Sequence, residues 1–539
     1  MMKNQSLKSV AAMIAAMSAE LGVKHAVVSS GSRSMPIATA FDVADSINVK
    51  MIVDERVAAF AALGMTKHDG APVALVCTSG SALLNYAPAV AEAYYIGAPL
   101  IVISSDRPAW QIDQNAGQTI RQFGALSNIV KASVDIDGDS DNPLKWRGMV
   151  ADAMLKAIIG KPGPVHINVH LSEPLQPTLP FQCNSSLLPK LISPTAFSDS
   201  QLDNMVAQLQ GRKVMLYIGP ENLCKVSEQT ISKLQNSNVV VVADRATVGI
   251  TDADVSHFDD LLQTANSSAD IIPDLLITTG VAPLSRKFRE LISSASNLCH
   301  WQVSSDAAAK DFLGHISTLI VSDSDIFLNQ LADKQFKADA NYRNAICRLQ
   351  SQASESVKNM VAKGEWSADL AVDMILSAVP NDYKLHFSNG ITLRKANRFI
   401  KCGVTMSANR GVNGIDGSTS TALGAAYVAG GKHLLLTGDM SAFYDVAALQ
   451  SGLMSDNFRM VVINNSGGDI FRCIEATRNV PNREQLLCAM PNVDWQANAV
   501  AANMKYVKVT SADALSASLD ELLNGASAML MEVVVAATE

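Results

Sequence analysis

The chain alternates short apolar runs of strand length with longer segments in which apolar residues recur at helical spacing. Uninterrupted apolar runs are typical of parallel strands that are buried on both faces. Alternation of this kind predicts an α/β protein, and three such regions follow one another, each predicted to form a doubly wound parallel sheet. The predicted strands are 26–29, 51–53, 73–77, 100–104 and 165–169, then 214–218, 239–243, 275–278, 298–303 and 319–321, then 384–387, 434–437, 460–463, 506–509 and 529–535.

The same pattern suggests where the domains begin and end. Residues 172–195 carry five prolines with little charge or periodicity, which favours an extended, semi-rigid linker. A polar stretch with helical character separates the second region from the third. We therefore predict domains at 1–180, 199–335 and 365–539, joined by a linker at 181–198 and a helical connector at 336–364.

Composition narrows the class of protein. The 539 residues exceed what one core holds, and 48% of them are apolar, enough to supply several buried sheets. The net charge of −8 argues against a nucleic-acid surface. We expect no membrane span, since every apolar run is shorter than the roughly 20 residues that a spanning helix needs. Eight scattered cysteines without a Cys-x-x-Cys pair predict a reduced, cytoplasmic protein without a zinc site.

The N-terminus superficially resembles a short signal peptide, because Lys3 and Lys8 precede an apolar stretch. The apolar positions from 10 to 17 nevertheless follow one helix face and lead directly into a strand. We predict the first helix of a domain rather than a targeting segment.

Two strand ends in the last region carry an informative set of polar residues. One apolar run ends at Gly438-Asp439, and the next ends at Asn464-Asn465, followed by Gly467-Gly468. Parallel strands end at one sheet edge, where ligands bind in open α/β sheets. Carboxylate, amide and backbone carbonyl oxygens suit a hard cation such as Mg²⁺ on a phosphate. Either half alone could be ordinary turn chemistry, whereas the pair favours a diphosphate-and-metal motif.

The first region offers two further candidates at strand ends. Glu55 lies where a strand gives way to a helix, and it could simply complement the helix dipole. Alternatively, the Glu55 carboxylic acid could hydrogen-bond the ring of a cofactor. The small-residue loop Thr78-Ser79-Gly80 opens a helix predicted at 82–95, where backbone N–H groups can meet an anion or a ring edge.

Four arginines stand in loops after strands or at helix starts: Arg33, Arg107, Arg394 and Arg410. Each alone is more often an ordinary surface or ion-pair arginine. Together, in an acidic chain with little charge, they suggest a cationic pocket for carboxylates, which planar guanidinium groups bind bidentately. Ile470 and Phe471 could form an apolar wall of that pocket, although core packing is the commoner fate of such a pair.

These motifs resemble those of the thiamine-diphosphate-dependent synthases of menaquinone biosynthesis that make 2-succinyl-5-enolpyruvyl-6-hydroxy-3-cyclohexene-1-carboxylate. The resemblance covers nearly the whole chain. Its Ser-Arg-Ser, Asp-Arg-Pro and Asn-Arg-Gly elements separate these synthases from other thiamine-diphosphate enzymes. The matching segments are 31–34, 54–56, 77–80, 105–108, Gln118, 409–411, 414–417, 438–441 and 464–471.

The resemblance implies a fold, an assembly and a cofactor. The fold has a pyrimidine-binding, a central and a diphosphate-binding domain, and the assembly is a homodimer or homotetramer with active sites between chains. Glu55 would activate thiamine diphosphate, and Asp439, Asn465 and the Gly467 carbonyl would hold Mg²⁺ or Mn²⁺. The implied cofactor-binding residues are Glu55, Thr78, Ser79, Gly80, Gly438, Asp439, Met440, Ser441, Asn465, Gly467, Gly468, Ile470 and Phe471.

The resemblance also implies a reaction. It is the decarboxylation of 2-oxoglutarate and the conjugate addition of the succinyl-semialdehyde carbanion to isochorismate. The implied catalytic residues are Glu55, Gln118, Arg394 and Arg410, and the implied substrate-binding residues are Ser32, Arg33, Arg107, Gln118, Arg394, Arg410 and Phe471. The chain departs from the family at Ser388-Asn389-Gly390 and at Ser285-Arg286-Lys287.

Two alternatives stay open. One is another thiamine-diphosphate enzyme, either a 2-oxoacid decarboxylase or an acetohydroxyacid-synthase-like carboligase. It would share Glu55 and Asp439 but would have no reason to keep the arginines together. The other is a catalytically inactive homologue, which would be expected to lack the acid or a metal ligand.

Overall fold

The computed structural model describes residues 9–140, 142–175, 186–189, 197–219, 226–244, 253–265, 267–306, 311, 313–361, 364–399 and 405–537. Within these residues the chain forms three sheets, and all of the recorded strand pairs are parallel. Helices alternate with the strands throughout. The predicted α/β class with three doubly wound parallel sheets is confirmed.

The first sheet has six strands in the order β2-β1-β3-β4-β6-β5. They are β1 (His25–Val28), β2 (Asn48–Met51), β3 (Val73–Cys77), β4 (Leu100–Asp106), β5 (Ser133–Asp137) and β6 (Val165–His170). Its helices are α1 (Ser9–Glu20), α2 (Met35–Asp42), α3 (Glu55–Asp69), α4 (Ala82–Asn85), α5 (Ala87–Ile96) and α6 (Arg147–Ile158). Strands β3 and β4 are buried along their whole length, as their apolar runs predict.

The second sheet has five strands in the order β11-β10-β9-β7-β8. They are β7 (Val214–Ile218), β8 (Val240–Ala243), β9 (Leu275–Thr279), β10 (Cys299–Ser304) and β11 (Ile316–Val321). The helices are α7 (Asp199–Ala207), α8 (Glu228–Asn236), α9 (Phe258–Thr264), α10 (Arg286–Ser293) and α11 (Ser324–Ala332). The longer helix α12 (Ala340–Val361) then leads to the third sheet, where the connector is predicted.

The third sheet has the order β13-β12-β14-β15-β17-β16. Its strands are β12 (Lys384–Phe387), β13 (Thr405–Ala408), β14 (His433–Gly438), β15 (Phe458–Asn464), β16 (Lys505–Val509) and β17 (Met529–Val534). The helices are α13 (Ala368–Ala378), α14 (Ile391–Phe399), α15 (Ser418–Val428), α16 (Asp439–Tyr444), α17 (Ile470–Cys473), α18 (Glu475–Arg478), α19 (Trp495–Ala501) and α20 (Ala512–Asn524). If the strands of each sheet are numbered 1 to 6 along the chain, both the first and the third sheet have the order 2-1-3-4-6-5. The two sheets therefore share one topology.

Helices α3 and α15 pack the first region against the third. A methyl group on Gly64 of α3 would lie 2.0 Å from the Thr421 carbonyl oxygen, and one on Gly424 of α15 would lie 2.1 Å from the Ala61 carbonyl oxygen. Glycine at both positions lets the two helix backbones approach closely. One hydrophobic cluster accordingly includes residues of both helices and of β14.

Local predictions differ from the structure in a few places. The helix predicted at 82–95 is wrong as one element, because it breaks at Tyr86 between α4 and α5, where Pro88 lacks an N–H group to continue the first helix. Strands β5 and β13 were not predicted. Part of the predicted linker, 176–185 and 190–196, lies outside the described residues, and the domain boundaries stay predictions.

Candidate active site

Asp439 connects the carboxyl ends of β14 and β15. It is the first residue of α16 and is buried, with 2% of its surface exposed. One carboxylate oxygen, Oδ1, accepts from the Met440 N–H at 2.7 Å. The other, Oδ2, accepts from the N–H groups of Asn465 at 3.1 Å and Gly467 at 2.9 Å. Burial raises the pKa of Asp439, and these backbone N–H groups oppose that rise.

The glycine pair after β15 is required by a close approach of the chain. Gly467 has φ 123°, and a methyl group on it would lie 1.8 Å from the Cys488 carbonyl oxygen. A methyl group on Gly468 would lie 2.7 Å from the Phe471 ring. Segment 487–488 therefore presses on this loop, and larger side chains would push it off Asp439.

The donor set at this loop fits a hard divalent cation. A carboxylate offers about four lone-pair positions. Oδ2 of Asp439 already accepts two N–H groups, whereas Oδ1 accepts one and keeps a position for a cation. The buried Asn465 stands beside it. Carboxylate, amide and carbonyl oxygens are the ligands that Mg²⁺ and Mn²⁺ prefer.

Neighbouring residues hold this loop and the Arg410 loop in place. The Ser388 hydroxyl accepts from the Gly438 N–H at 3.1 Å. The Asn389 amide group donates to the carbonyl oxygens of Asn409 and Gly414, and its oxygen accepts from Arg410 Nη1 at 2.9 Å. Ser388 thus contacts the Asp439 loop and Asn389 contacts the Arg410 loop, which the sequence alone did not predict.

Glu92 is a second positioning residue that the sequence did not reveal. This buried carboxylate of α5 accepts from the N–H groups of Gly411 at 2.7 Å and Val412 at 2.6 Å. It therefore fixes the Asn-Arg-Gly loop of the third region from the first. In the segment 285–287 the side chains of Arg286 and Lys287 are exposed, while Ser285 caps α10.

Glu55 is the half-buried first residue of α3, and Asp54 caps that helix by accepting from the Val57 N–H. Asn85 Nδ2 donates to Glu55 Oε2 at a long 3.4 Å. No hydrogen bond among the described residues joins Glu55 to the loop of Asp439. The neighbouring Arg56 donates to the Tyr444 carbonyl oxygen at 3.0 Å, so α3 and α16 touch within one chain, although Glu55 and Asp439 themselves share no hydrogen bond.

The Thr78-Ser79-Gly80 loop gathers other predicted residues of the first region. A methyl group on Gly31, next to Ser32, would collide with the Thr78 side chain, so these two loops touch. A methyl group on Gly80 would lie 3.4 Å from the Gln118 Cα, which puts Gln118 beside the loop. The Ser79 hydroxyl is buried and has no partner among the described residues, so it is available to a ligand.

The arginines form two groups. Arg33 is buried, donates to the Leu171 carbonyl oxygen at 2.8 Å and pairs with Glu173 at 3.1 Å. Both Arg33 and Arg107 lie at the end of β6, because Arg33 donates to Leu171 and the Arg107 carbonyl oxygen meets the adjacent His170. Burial and the positive charge of Arg107 lower the pKa of Arg33. Arg394 of α14 lines a small cavity of about 50 Å³ together with Asp244. Burial raises the pKa of Asp244, and the positive charge of Arg410 opposes that rise.

Comparison with known proteins identifies the family. Residues 8–125 match the family described as "Thiamine pyrophosphate enzyme, N-terminal TPP binding domain". Relatives from Porphyromonas gingivalis and Cytophaga hutchinsonii are each 32% identical, and one from Flavobacterium johnsoniae is 31% identical. The alignments cover 95%, 93% and 93% of this chain and 92%, 91% and 91% of the relatives. All three are named 2-succinyl-5-enolpyruvyl-6-hydroxy-3-cyclohexene-1-carboxylate synthase. The chain belongs to this synthase family.

Membership of the synthase family confirms the resemblance that the motifs indicated. The chain is a transferase that depends on thiamine diphosphate. The other thiamine-diphosphate decarboxylases and carboligases are not favoured, because the match to the synthases runs over nearly the whole chain. No helix in the described ranges is both long and apolar enough to cross a membrane.

Proposed function

We propose that the protein transfers the succinyl-semialdehyde unit of 2-oxoglutarate to isochorismate and releases CO₂. The product is 2-succinyl-5-enolpyruvyl-6-hydroxy-3-cyclohexene-1-carboxylate, an intermediate of menaquinone biosynthesis. The observation that carries this proposal is the arrangement of the arginines in two groups, Arg33 with Arg107 and Arg394 with Arg410. Each substrate has two carboxylates, and an enzyme for a monocarboxylate such as pyruvate would not need both groups.

The first group supports the binding of a substrate carboxylate. Burial and the positive charge of Arg107 lower the pKa of Arg33. An anion bound between the two arginines would relieve the repulsion between their charges. The Arg107 Nε is buried and has no partner among the described residues. A carboxylate placed there would satisfy it with the bidentate geometry that guanidinium groups prefer. Ser32 precedes Arg33 in the chain and Gln118 lies beside the Gly80 loop, and we assign both residues to the same substrate.

The second group belongs to the third region and faces the second. Arg410 is held by Asn389 and by the Glu92 clamp on its loop, and Arg394 lines the cavity beside Asp244. We assign these two arginines to the carboxylates of the other substrate. Phe471, which packs against Gly468, forms an apolar boundary of the diphosphate loop.

Glu55 and the Asp439 loop would hold the cofactor. Thiamine diphosphate supplies the carbon nucleophile and the electron sink for decarboxylation when it is bound. We propose that Glu55 hydrogen-bonds a pyrimidine nitrogen of the cofactor, exchanging its long contact with Asn85 for a shorter one. Asp439 Oδ1, Asn465 and the Gly467 carbonyl would bind Mg²⁺ or Mn²⁺ on the diphosphate.

We also propose that the active site forms between two chains of a homodimer or homotetramer. Large apolar side chains are exposed around Glu55 and around the Asp439 loop, which favours coverage by a second copy. They are Met51 (55% exposed), Val53 (68%), Leu84 (47%), Phe443 (39%) and Tyr444 (49%). A second copy would bring the Glu55 of one chain to the Asp439 loop of the other.

A complementation experiment tests this arrangement. Glu55→Gln and Asp439→Ala variants are unfolded, mixed and refolded together, with each variant refolded alone as the control. Activity is assayed at a cofactor concentration low enough that neither variant alone is active. If the sites form between chains, each mixed dimer has one intact site, and about a quarter of the wild-type activity returns. Mixed samples that stay as inactive as the controls would contradict the arrangement, provided that wild-type protein regains activity by the same procedure.

The reaction itself is tested with purified protein, thiamine diphosphate, Mg²⁺ and 2-oxoglutarate, with and without isochorismate. We expect isochorismate to be consumed only when all components are present, with one CO₂ released for each product molecule. CO₂ release without loss of isochorismate would mean that the acceptor is wrong. Robust turnover of pyruvate in place of 2-oxoglutarate would contradict the proposed donor.

A further inference from the structure

Behind the first arginine group lies a buried chain of polar side chains that the proposed function has not used. It runs from the Gly80 loop through Gln122 and Asn168 to Asp106, Asp135 and His170, and it ends on Arg107. Gln122, Asn168 and Asp106 are fully buried. Buried polar networks of this kind are retained only where their members satisfy one another, and they then fix one arrangement.

Asn168 on β6 is the centre of this network. Its Oδ1 accepts from Gln122 Nε2 at 3.0 Å and from the Ser104 hydroxyl at 2.7 Å. Its Nδ2 donates to Asp106 Oδ2 at 2.9 Å and to Asp135 Oδ1 at 2.8 Å. Two carboxylates on one side require the amide nitrogen there, so the orientation of Asn168 is fixed and all four of its hydrogen-bonding positions are used.

Gln122 connects Asn168 to the cofactor loop. Its side-chain oxygen accepts from the Gly80 N–H at 2.7 Å, and its nitrogen also donates to the Ser105 carbonyl oxygen at 3.3 Å. Gly80 has φ 88°, in the left-handed region that favours glycine. The Gln122 contact therefore gives the Gly80 N–H a fixed buried partner and ties this loop to the network.

His170 connects the network to Arg107. Its Nδ1 lies 2.5 Å from the Arg107 carbonyl oxygen, and its Nε2 lies 3.0 Å from Asp135 Oδ1. Both partners are acceptors only, so both ring nitrogens must carry hydrogen and the ring must be an imidazolium. Hydrogen bonds and charge from Asp135, with Asp106 also nearby, outweigh burial and raise the pKa of His170 to about 9. Asp106 Oδ1 accepts from the Arg107 N–H at 2.7 Å. Both the N–H and the carbonyl oxygen of Arg107 are therefore hydrogen-bonded.

We propose that Asn168 and His170 are positioning residues: His170 clamps the Arg107 peptide, while Asn168 and Gln122 couple that clamp to the Gly80 loop. The inference rests on the proposed function, in which Arg107 binds a substrate carboxylate. Neither residue touches substrate or cofactor. Their role is to give the Arg107 guanidinium and the cofactor loop a fixed relative position, so that one substrate carboxylate is bound at a constant place relative to the cofactor.

The test measures the KM values of the two substrate acids, 2-oxoglutarate and isochorismate, in the variants His170→Ala and Arg107→Ala. Arg107→Ala identifies the acid that Arg107 binds. His170→Ala should raise the KM of that same acid by about tenfold, as loss of a charged hydrogen bond implies, and leave the KM of the other acid within about twofold. The matched control is His25→Ala, a half-buried histidine on β1 of the same sheet, two strands away from β4 and three from β6, for which both KM values should stay unchanged.

The pH dependence separates positioning from a merely structural role. In the wild type the KM of the Arg107-bound acid should rise as the pH passes 9 and His170 loses its proton, and this step should be absent from His170→Ala. Equal KM changes for both acids, a loss of kcat alone, or a pH step that persists in His170→Ala would overturn the proposal.

A measurement that needs no turnover keeps this inference separate from the proposed function. The ¹⁵N resonances of the His170 ring, identified by their loss in His170→Ala, should show an imidazolium that titrates near pH 9. In Asn168→Leu the Asp135 carboxylate loses an N–H partner, so the pKa of the His170 ring should differ from that in the wild type. A ring that titrates near its ordinary value of about 6.5 would overturn the inference even if the synthase activity is confirmed. Absence of activity with the expected titration would count against the proposed function alone.

Discussion

Glu55 is a single side chain whose role depends on an acidic proton rather than on bulk or polarity. It is the first residue of α3, and within the described part of the chain its side chain has one hydrogen bond, the long one from Asn85. Glu55→Gln keeps the shape and can still contact a ring nitrogen, but an amide cannot exchange a proton with it. We expect cofactor binding within a few-fold of wild type and turnover lower by about 10²–10⁴.

Isothermal titration with thiamine diphosphate and Mg²⁺, together with steady-state rates, measures the two effects. Glu228→Gln is a matched control, because Glu228 also occupies the first turn of a helix, α8, behind a capping residue. It should leave both quantities unchanged. A Glu55→Gln enzyme with wild-type turnover would refute the assignment.

Asp439 combines a proposed metal-binding role with a structural one. Asp439→Ala removes the carboxylate that receives the N–H groups of Asn465 and Gly467 as well as the oxygen left for a cation. We expect cofactor affinity in the presence of Mg²⁺ to fall by at least about tenfold, since a charged ligand is lost. The loss should be smaller when affinity is measured with EDTA.

Asp494→Ala provides the comparison for this experiment. Asp494 also accepts a backbone N–H in the third region, where it caps α19 at 2.9 Å. This variant should bind metal and cofactor as the wild type does. Normal cofactor titration by Asp439→Ala would contradict the metal assignment.

At the scale of elements, the crossing of α3 and α15 is the contact most sensitive to side-chain size. Gly424→Ala would place a methyl group 2.1 Å from the Ala61 carbonyl oxygen, a backbone atom that can move only with its helix. Overpacking of this kind costs about 1–3 kcal/mol. We expect a lower thermal midpoint and, because α3 carries Glu55 and α15 packs beside the third sheet, a lower activity.

Gly430→Ala is the control for the crossing. Gly430 follows α15, lies outside the left-handed region of φ, and has nothing within 4 Å of an added methyl group. Its effect should stay within about 0.5 kcal/mol. Differential scanning fluorimetry measures the thermal midpoints of both variants. Equal midpoints would contradict the prediction, because they would show that the two helices accommodate the added methyl group without loss of stability.

At the scale of the whole molecule, each of the three sheets buries histidines that must be neutral. Burial lowers the pKa of His166, His300 and His433 to about 4, and that of His386 well below its ordinary value. His386 and His433 stack with ring centroids 5.2 Å apart. In the unfolded chain these groups bind protons near pH 6.5.

The sign of the pH effect follows from linkage. Groups whose pKa is depressed in the folded state contribute their full stability above pH 6.5 and lose it as the pH falls towards 4. His170 acts in the opposite sense, because its raised pKa contributes stability below pH 6.5 that is lost as the pH rises through 9. We expect the thermal midpoint to fall between pH 7 and pH 5, and to fall less in His300→Gln, which removes one buried histidine. An equal fall in both proteins would contradict this account.

The sequence by itself determined the elements that depend on local pattern. Uninterrupted apolar runs such as 73–77 and 434–436 predicted buried parallel strands, and turn residues at their ends predicted the Asp439 and Thr78-Ser79-Gly80 loops. It missed β5, whose residues alternate between buried and less buried positions at the sheet edge, and β13, a four-residue strand. The family followed from motifs spread over the chain, because each motif fixes a residue type at a strand end.

Only the tertiary structure decided which distant residues support these motifs. Gln122, Asn168 and His170 carry no local signal, because a buried polar side chain is defined by partners that lie far away in sequence. The same holds for Glu92, which reaches the Arg410 loop across 319 residues. Local pattern thus sets the strands and their polar ends, whereas the packing of three sheets determines which side chains meet behind them.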